Sequence, residues 1–430
     1  MSSGFMNPGV DSRIVQLRHA AMNAAANGQY DEASRLWDQV LTLSPDYPEA
    51  LHFKGQRAMQ RGDLAGARGL FGRAARAAPK DPIVQLGLAF ACQRAGDDRA
   101  EMAALTAALT ADPYCYPALL AKGANLERNG LKRQAARIYS DALKIVPPDE
   151  RLAPVMRDQV KRARKAVDEN AVAFDAFLER KIGPIRIRHA SANQNRADEA
   201  KGAMLGRNKI YKSEASLLHF PQLPAVPYFD RSHFPWLRDI EAQTASVQEE
   251  LHSLLGLKKD DFKPYMNYPA DAPLNQWAEL NNSPRWSALN LWKDGRRVEK
   301  NCAVCPQTAA ALGAVPMLVV PGAEPTVMFS ALEPHTTIPA HTGITNARAV
   351  VHLPLILPGQ CRFRVGNETR EWKMGEAWVF DDTIEHEAWN DSDQLRVILI
   401  FNVWNPYLSE VERELASELI CGFYEFHSAG

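Results

Sequence analysis

Two histidines, His341 and His386, have the type and surroundings for chemistry at a metal. A neutral imidazole offers one nitrogen lone pair to a divalent cation, and two together make a minimal nitrogen donor set. His341 opens His341-Thr342-Gly343, and His386 closes Asp381-Asp382-Thr383-Ile384-Glu385-His386. Arg396 follows ten residues later, and a guanidinium is shaped to hold a carboxylate by two parallel hydrogen bonds. Spacing alone leaves the pair ambiguous, because any of the 11 histidines can be an ordinary structural or surface residue.

The elements that must position these groups are short strands beyond Met317. Ala347, Ala349, Val351, Leu353 and Leu355 alternate with Arg348, Val350 and His352, which puts the two sets on opposite faces of one strand. Cys361 to Val365, a turn at Gly366-Asn367 and Thr369 to Trp372 read as a hairpin. Ala377 to Phe380 and Leu395 to Val403 are further strands, and Phe234 to Leu255 upstream is an expected helix. Many short strands with turns between them fit a small antiparallel barrel or jelly roll. Opposite strands of such a barrel can bring two imidazoles to one mouth, with an arginine on a neighbouring strand. That layout suits a non-haem iron oxygenase using 2-oxoglutarate.

An internal period organises the first third of the chain. Gly28, Gly62, Gly96 and Gly130 are 34 residues apart, and Pro45, Pro79, Pro113 and Pro147 each lie 17 residues after one of them. Trp37, Phe71, Leu105 and Tyr139 keep phase nine residues after the glycine, and Ala21, Gly55, Ala89 and Gly123 seven before it. Ala33, Ala67 and Ala135 follow it by five, and only the third unit departs, with Glu101. Each unit reads as two helices: glycine at the turn, proline ending the second helix, small residues allowing close approach and a bulky one filling the groove. The pattern resembles tetratricopeptide repeats, about four of them over residues 14–148. Such a solenoid needs its last apolar face covered, so 149–212 is expected as a capping helix and basic linker, with Val155, Val160, Ala163, Val167, Ala171, Phe174 and Leu178 at helical spacing. The third region is 213–430.

A chain of 430 residues that is 46% hydrophobic and 23% charged is neither disordered nor collagen-like. Its apolar runs are broken by charges, as Arg348 and His352 break Ala347 to Leu357, and fall short of the roughly 20 residues that span a bilayer. No membrane partner is expected, and Met1 to Val10 lacks the basic and apolar parts of a secretory signal. Six cysteines are too few for a disulfide scaffold, so a reducing cytoplasm fits. The net charge of −1 conceals a segregation: +2 over 1–150, +8 over 151–212 and −11 over 213–430. Nucleic acid is an unexpected partner for so acidic a C-terminal region.

Residues from about 218 to 408 resemble the aspartyl/asparaginyl β-hydroxylase family. The resemblance is carried by Trp292-Lys293-Asp294-Gly295-Arg296-Arg297, Pro339-Ala340-His341-Thr342-Gly343, Thr345-Asn346-Ala347-Arg348, Asp381 to Glu387 and Val403-Trp404-Asn405-Pro406. It implies an α+β multidomain chain, a helical tetratricopeptide solenoid followed by a double-stranded β-helix (jelly-roll) oxygenase domain. It also implies Fe(II), 2-oxoglutarate as cosubstrate and O2, with succinate and CO2 as co-products and the β-carbon of an Asp or Asn as target. By resemblance, His341 and His386 are the catalytic metal ligands, and Gly343 stands where the usual facial triad has a carboxylate. Arg396 and Ser330 would hold the C5 carboxylate of 2-oxoglutarate, and His352 the C1 carboxylate. Animal members carry a second arginine where this chain has Val350, so Arg348 either substitutes for it or approaches only indirectly.

Asp381 and Asp382 are read as orienting His386 or making a turn, His335 as an exposed loop residue, and Cys302 and Cys305 as thiols outside any disulfide. The leading expectation is hydroxylation of Asp or Asn in a peptide or protein held by the repeat groove. Two alternatives stand beside it: an adaptor with a catalytically idle barrel, and an iron halogenase or hydroxylase of a small metabolite. The sequence leaves the oligomeric state open.

Overall fold

The structure is a computed structural model that describes residues 8–257 and 259–428, so part of the Met1 to Val10 stretch lies outside the described residues. Each 34-residue period folds as a helix pair. The helices are α1 (Pro8–Ala26), α2 (Tyr30–Leu43), α3 (Pro48–Gln60), α4 (Leu64–Ala77), α5 (Pro82–Arg94), α6 (Asp98–Ala111), α7 (Tyr116–Arg128) and α8 (Lys132–Leu143). Three residues join the helices of a pair, and the middle one is always the phased glycine, with φ between 73° and 81°. A Cβ there would meet nothing within 4 Å, so the left-handed backbone demands glycine, not a shortage of space. The opposite holds seven residues earlier: a Cβ on Gly123 would collide with the Tyr139 ring, which is the close helix approach that the small-residue phase allows. Trp37, Phe71, Leu105 and Tyr139 are all buried.

The departure at Glu101 is a lock between repeats. Glu101 is 1% exposed in α6, yet accepts hydrogen bonds from Arg128 and, at 2.7 Å, from Asn125 Nδ2, both on α7. A buried carboxylate held by a guanidinium and an amide satisfies what an alanine there would not need.

The chain divides between Asn193 and Gln194 into two compact units. In the first, α9 (Pro154–Arg188) covers the last repeat through Val160 and Ala163, which pack with Leu120, Tyr139 and Ala142. The other apolar positions of its expected stripe are not buried, and Val155 is 69% exposed. The reading of 149–212 as cap and linker therefore needs correction at its end. Residues beyond 193 form α10 (Asn195–Met204) and a strap bonded to the β-rich unit: Asn367 donates to Lys209 O at 2.7 Å, Arg364 to Tyr211 Oη at 2.9 Å, and Lys209 pairs with Glu385 at 3.1 Å. Hydrogen bonds and an ion pair to residues far along the chain hold this segment, which local periodicity cannot reveal.

The expected helix Phe234 to Leu255 is broken into α11 (Leu237–Ala242) and α12 (Thr244–Leu257), where the Thr244 hydroxyl donates to Glu241 O at 2.6 Å. Then follow β1 (Lys263–Pro264), β2 (Trp286–Lys293), β3 (Arg296–Arg297), α13 (Glu299–Cys302), α14 (Pro306–Gly313), β4 (Val327–Leu332), β5 (Thr336–His341), β6 (Arg348–Ile356), β7 (Cys361–Val365), β8 (Glu368–Glu371), β9 (Trp378–Phe380), β10 (His386–Asn390), β11 (Arg396–Trp404) and α15 (Glu410–Ser428). Strand β2 precedes Met317, where no strand is expected from the sequence. Its first four residues are buried, so it shows no alternation to read.

One antiparallel sheet runs β1-β2-β4-β11-β6-β9, with β3 beside β2, and a second runs β5-β10-β7-β8. From β4 to β7 the chain alternates between them. The outer face of the larger sheet, including Phe329, Val351, Leu399 and Phe401, packs under α11, α12 and α14. Its inner face, including Leu332, Val350 and Ile398, meets Ile338, Phe363 and Ala388 of the smaller sheet. Pro339 lies in β5, at the edge of its sheet, where its missing N–H leaves no ladder bond unmade.

Replacing Arg128 by Met strands Glu101 in the interior and is expected to cost about 2–4 kcal/mol, less than a fully buried pair because the arginine is partly exposed. Glu101→Ala removes that charge and restores the repeat residue, so its cost is expected to be smaller. Urea unfolding of the two variants followed by circular dichroism checks the order.

Candidate active site

The inner faces of the two sheets enclose a cavity of about 360 Å³ whose wall includes His341, His386, His352, Ser330, Arg348 and Arg396. All six residues expected from the sequence thus line one space. Alternation delivers them: Arg348, Val350 and His352 from β6, Met328 and Ser330 from β4, and Arg396, Ile398, Ile400 and Asn402 from β11.

His341 ends β5 and His386 begins β10, directly paired in register, with their ring centroids 4.0 Å apart. Nδ1 of His341 lies 2.8 Å from Pro339 O, and Nδ1 of His386 lies 3.0 Å from Ile384 O. A carbonyl only accepts, so both Nδ1 atoms carry the proton and both Nε2 lone pairs stay available. Burial is the largest influence on each ring and pushes its pKa below the ordinary histidine value, far below for His386, where the neighbouring His341 adds to the effect. The donor chemistry suits a divalent cation bound by two neutral imidazoles. Among the described residues, no group of three or more His, Cys, Asp and Glu is placed to hold a metal.

Arg396 is the most anomalous group in the wall. It is 1% exposed, its Nε and Nη1 have no hydrogen-bond partner, and the Trp372 ring lies 5.1 Å from the guanidinium carbon. Burial drags its pKa down to about 10. A buried guanidinium with no carboxylate is costly, which marks the place of an anion that comes from outside the chain. Ser330 lies beside this strand, opposite Ile398 in the ladder, and accepts from Trp286 Nε1 at 3.1 Å. An indole only donates, so the serine hydroxyl proton is left for another acceptor. His352 is buried with Nδ1 unpartnered, and burial followed by the Arg396 charge keeps it neutral.

Arg348, expected either to substitute for the missing second arginine or to approach only indirectly, is already engaged by carboxylates of the chain. Its Nη1 donates to Glu324 Oε1 at 3.0 Å and its Nη2 to Asp382 Oδ2 at 2.6 Å, so two carboxylates already claim its fork. Glu324 Oε1 also accepts from Asn402 Nδ2 at 2.9 Å. Asp382 sits inside the turn that Ile384 N closes on Asp381 O at 3.2 Å, as expected, and its side chain is turned to Arg348. A Cβ on Gly343 would run into its carboxylate, so Asp382 fills the space that a side chain two residues after His341 would need. Asp381 does make the turn, accepting from Thr383 N at 3.0 Å, and burial raises its carboxyl pKa to about 7. His335 is exposed and pairs with Asp393 at 2.9 Å, away from the cavity. No disulfide links the described cysteines, Cys302 and Cys305 included.

Sequence reading missed Glu324, Asn402, Trp372 and the aromatic wall residues Tyr265 and Trp277. Counting in twos along β11 from Arg396 reaches Asn402, but Glu324 lies in a loop with no period.

The depressed histidines give a pH signature. The folded state disfavours protonating His341, His352 and His386, so it binds fewer protons than the unfolded chain below about pH 6.5. Stability from these groups is present above that pH and is lost as pH falls toward the folded values. Asp381 works in the opposite direction, one group against three. The thermal midpoint of the metal-free protein is expected to fall from pH 7.5 to 5.5, by less in a His352→Phe variant, as read by scanning calorimetry.

Comparison with known proteins bears on the family of the chain. The family described as aspartyl/asparaginyl beta-hydroxylase matches residues 241–406, and tetratricopeptide repeat matches 20–82 and 53–115. The chain is similar to an ornithine lipid ester-linked acyl 2-hydroxylase of Rhizobium tropici, 32% identical over 200 residues, covering 46% of this chain and 67% of the relative. It is similar to the human aspartyl/asparaginyl beta-hydroxylase, 32% identical over 180 residues, covering 42% of this chain but 24% of the relative. Aspartate beta-hydroxylase domain-containing protein 2 of Xenopus tropicalis is 30% identical over 48% of this chain and 54% of its own length. With its paired histidines and buried arginine on one strand framework, and with a third of the residues shared over two thirds of one relative, this chain belongs to the aspartyl/asparaginyl β-hydroxylase family and carries tetratricopeptide repeats ahead of that domain.

Proposed function

We propose that the chain is an Fe(II)- and 2-oxoglutarate-dependent oxygenase that hydroxylates an Asp or Asn side chain of a peptide or protein. The observation that carries this reading is the unpartnered buried guanidinium of Arg396 in the same cavity as two imidazoles with available Nε2 atoms.

His341 and His386 would hold Fe(II), each oriented by its Nδ1 proton on a backbone carbonyl. Arg396 and the free hydroxyl proton of Ser330 would take the C5 carboxylate of 2-oxoglutarate, and His352 the C1 carboxylate. When bound, iron and 2-oxoglutarate would supply the oxidative chemistry, insertion of one oxygen atom of O2 into a C–H bond with succinate and CO2 as co-products. The protein's part is to position and to exclude water, for which the wall of Phe363, Phe380, Ile398 and Ile400 is suited. The tetratricopeptide groove is the proposed holder of a peptide or protein partner, and the cytoplasm is the proposed compartment. No helix among the described residues is long and apolar enough to cross a membrane.

His341→Ala and His386→Ala are expected to lower Fe(II) affinity by more than about 100-fold, beyond the loss usual for a group that only orients a ligand. Anaerobic equilibrium dialysis reads this, and undiminished turnover in either variant would refute the ligand assignment. Arg396→Met is expected to weaken 2-oxoglutarate binding about 10- to 100-fold. It should also raise the thermal midpoint of the ligand-free protein, because it deletes an uncompensated buried cation. A purely structural arginine would give the reverse thermal shift.

A further inference from the structure

The cavity wall contains two cations among the described residues, Arg348 and Arg396, and two carboxylates, Glu324 and Asp382. The proposed function assigns Arg396 to the cosubstrate. Arg348 is shared between both carboxylates, and side-chain exposure is 14% for Arg348, 8% for Glu324 and 7% for Asp382. This cluster has one positive and two negative members, and burial leaves water little room to screen it. Position 350, one pleat along β6, is Val350 and contributes methyl groups to the same wall. A substrate carboxylate entering here finds both Nη atoms of Arg348 already taken by carboxylates, with only the buried Nε unengaged, and a cluster of its own sign.

A second observation points to what would be welcome. Asp382 is a wall residue whose Oδ1 is buried with no hydrogen-bond partner, whereas Oδ2 is engaged by Arg348. An ionised carboxylate oxygen only accepts, so the complementary ligand group is an N–H or O–H donor. Asn402, further along the wall, has its amide N–H on Glu324. Tyr265, whose ring centroid lies 4.2 Å from that of Trp286 at a tilt of 31°, and Trp277 add flat apolar surface. The Asp382 end of the cavity, away from Arg396, suits a planar neutral group better than an anion.

We propose that this oxygenase selects a carboxamide at its target and rejects the free carboxylate, so that within the proposed function its substrate is an asparagine-type side chain and not an aspartate. The amide NH2 donates to Asp382 Oδ1, while a carboxylate leaves that oxygen unsatisfied and adds a second buried negative charge. The inference rests on the oxygenase reading.

The test uses the full chain with Fe(II) and 2-oxoglutarate under anaerobic conditions and paired peptide libraries that differ only in Asn or Asp at a fixed central position. Bound peptides are recovered and counted by mass spectrometry. Enrichment of Asn over matched Asp members by more than about tenfold is expected. Val350→Arg, which places a cation in the wall, is expected to bring that ratio to one or below. Equal enrichment, a preference for Asp, or binding of neither library overturns the proposal, as does succinate release on aeration that is stimulated by an acyl-lipid vesicle and by no Asn peptide. A separate arm measures 2-oxoglutarate binding alone. If wild type and Arg396→Met bind it equally, the oxygenase reading fails; if wild type binds it more tightly and the libraries do not discriminate, only the substrate inference fails.

Discussion

Everything at the site depends on the register of β11 between β4 and β6. Val397, Leu399, Phe401 and Val403 are buried against the helix-covered core, and that burial turns Arg396, Ile398, Ile400 and Asn402 into the cavity. A slip of one residue would exchange the two rows, exposing four large apolar side chains and driving the guanidinium into hydrocarbon. The hydrophobic face therefore decides where the charge sits. The same division operates on β6, whose odd-numbered residues pack outward while Arg348, Val350 and His352 point inward.

Two arginines in one cavity show how environment, not residue type, sets a side chain's use. Arg348 gives both Nη atoms to Glu324 and Asp382, and those neighbours raise its pKa despite burial. Arg396 has no carboxylate partner among the described residues, and burial lowers its pKa. Both line the wall, but one is tied to carboxylates of the chain and the other is not. Sequence spacing places both on the correct face but cannot tell them apart, since Glu324 reaches Arg348 from 24 residues away and Asp382 from 34. The glycine two residues after His341 has a tertiary counterpart in the same way: its missing Cβ is the space that the Asp382 carboxylate fills.

The tetratricopeptide unit follows simpler rules. Its phased glycines take left-handed backbone, its prolines lie just past helix ends, and its bulky residues are buried, all consequences of contacts within one or two repeats. Local contacts repeat in sequence, so they can be read there. Glu101 shows where that stops, because its partners Asn125 and Arg128 belong to the next repeat and make sense of an apparent defect.

What the sequence by itself determined was whatever has a period or a motif: the 34-residue repeats, the alternation of β6, and the two histidines with Arg396 and Ser330. Those signals survive because helix and strand geometry is local, with side chains recurring at fixed intervals. Tertiary structure alone decided that β2 is a strand although buried at each of its first four residues, that 194–212 straps the β-rich unit, and that Arg348 is spent on two carboxylates. Each of these depends on groups distant along the chain meeting in a medium where charge must be paired, and pairing across such distances leaves no local pattern to count.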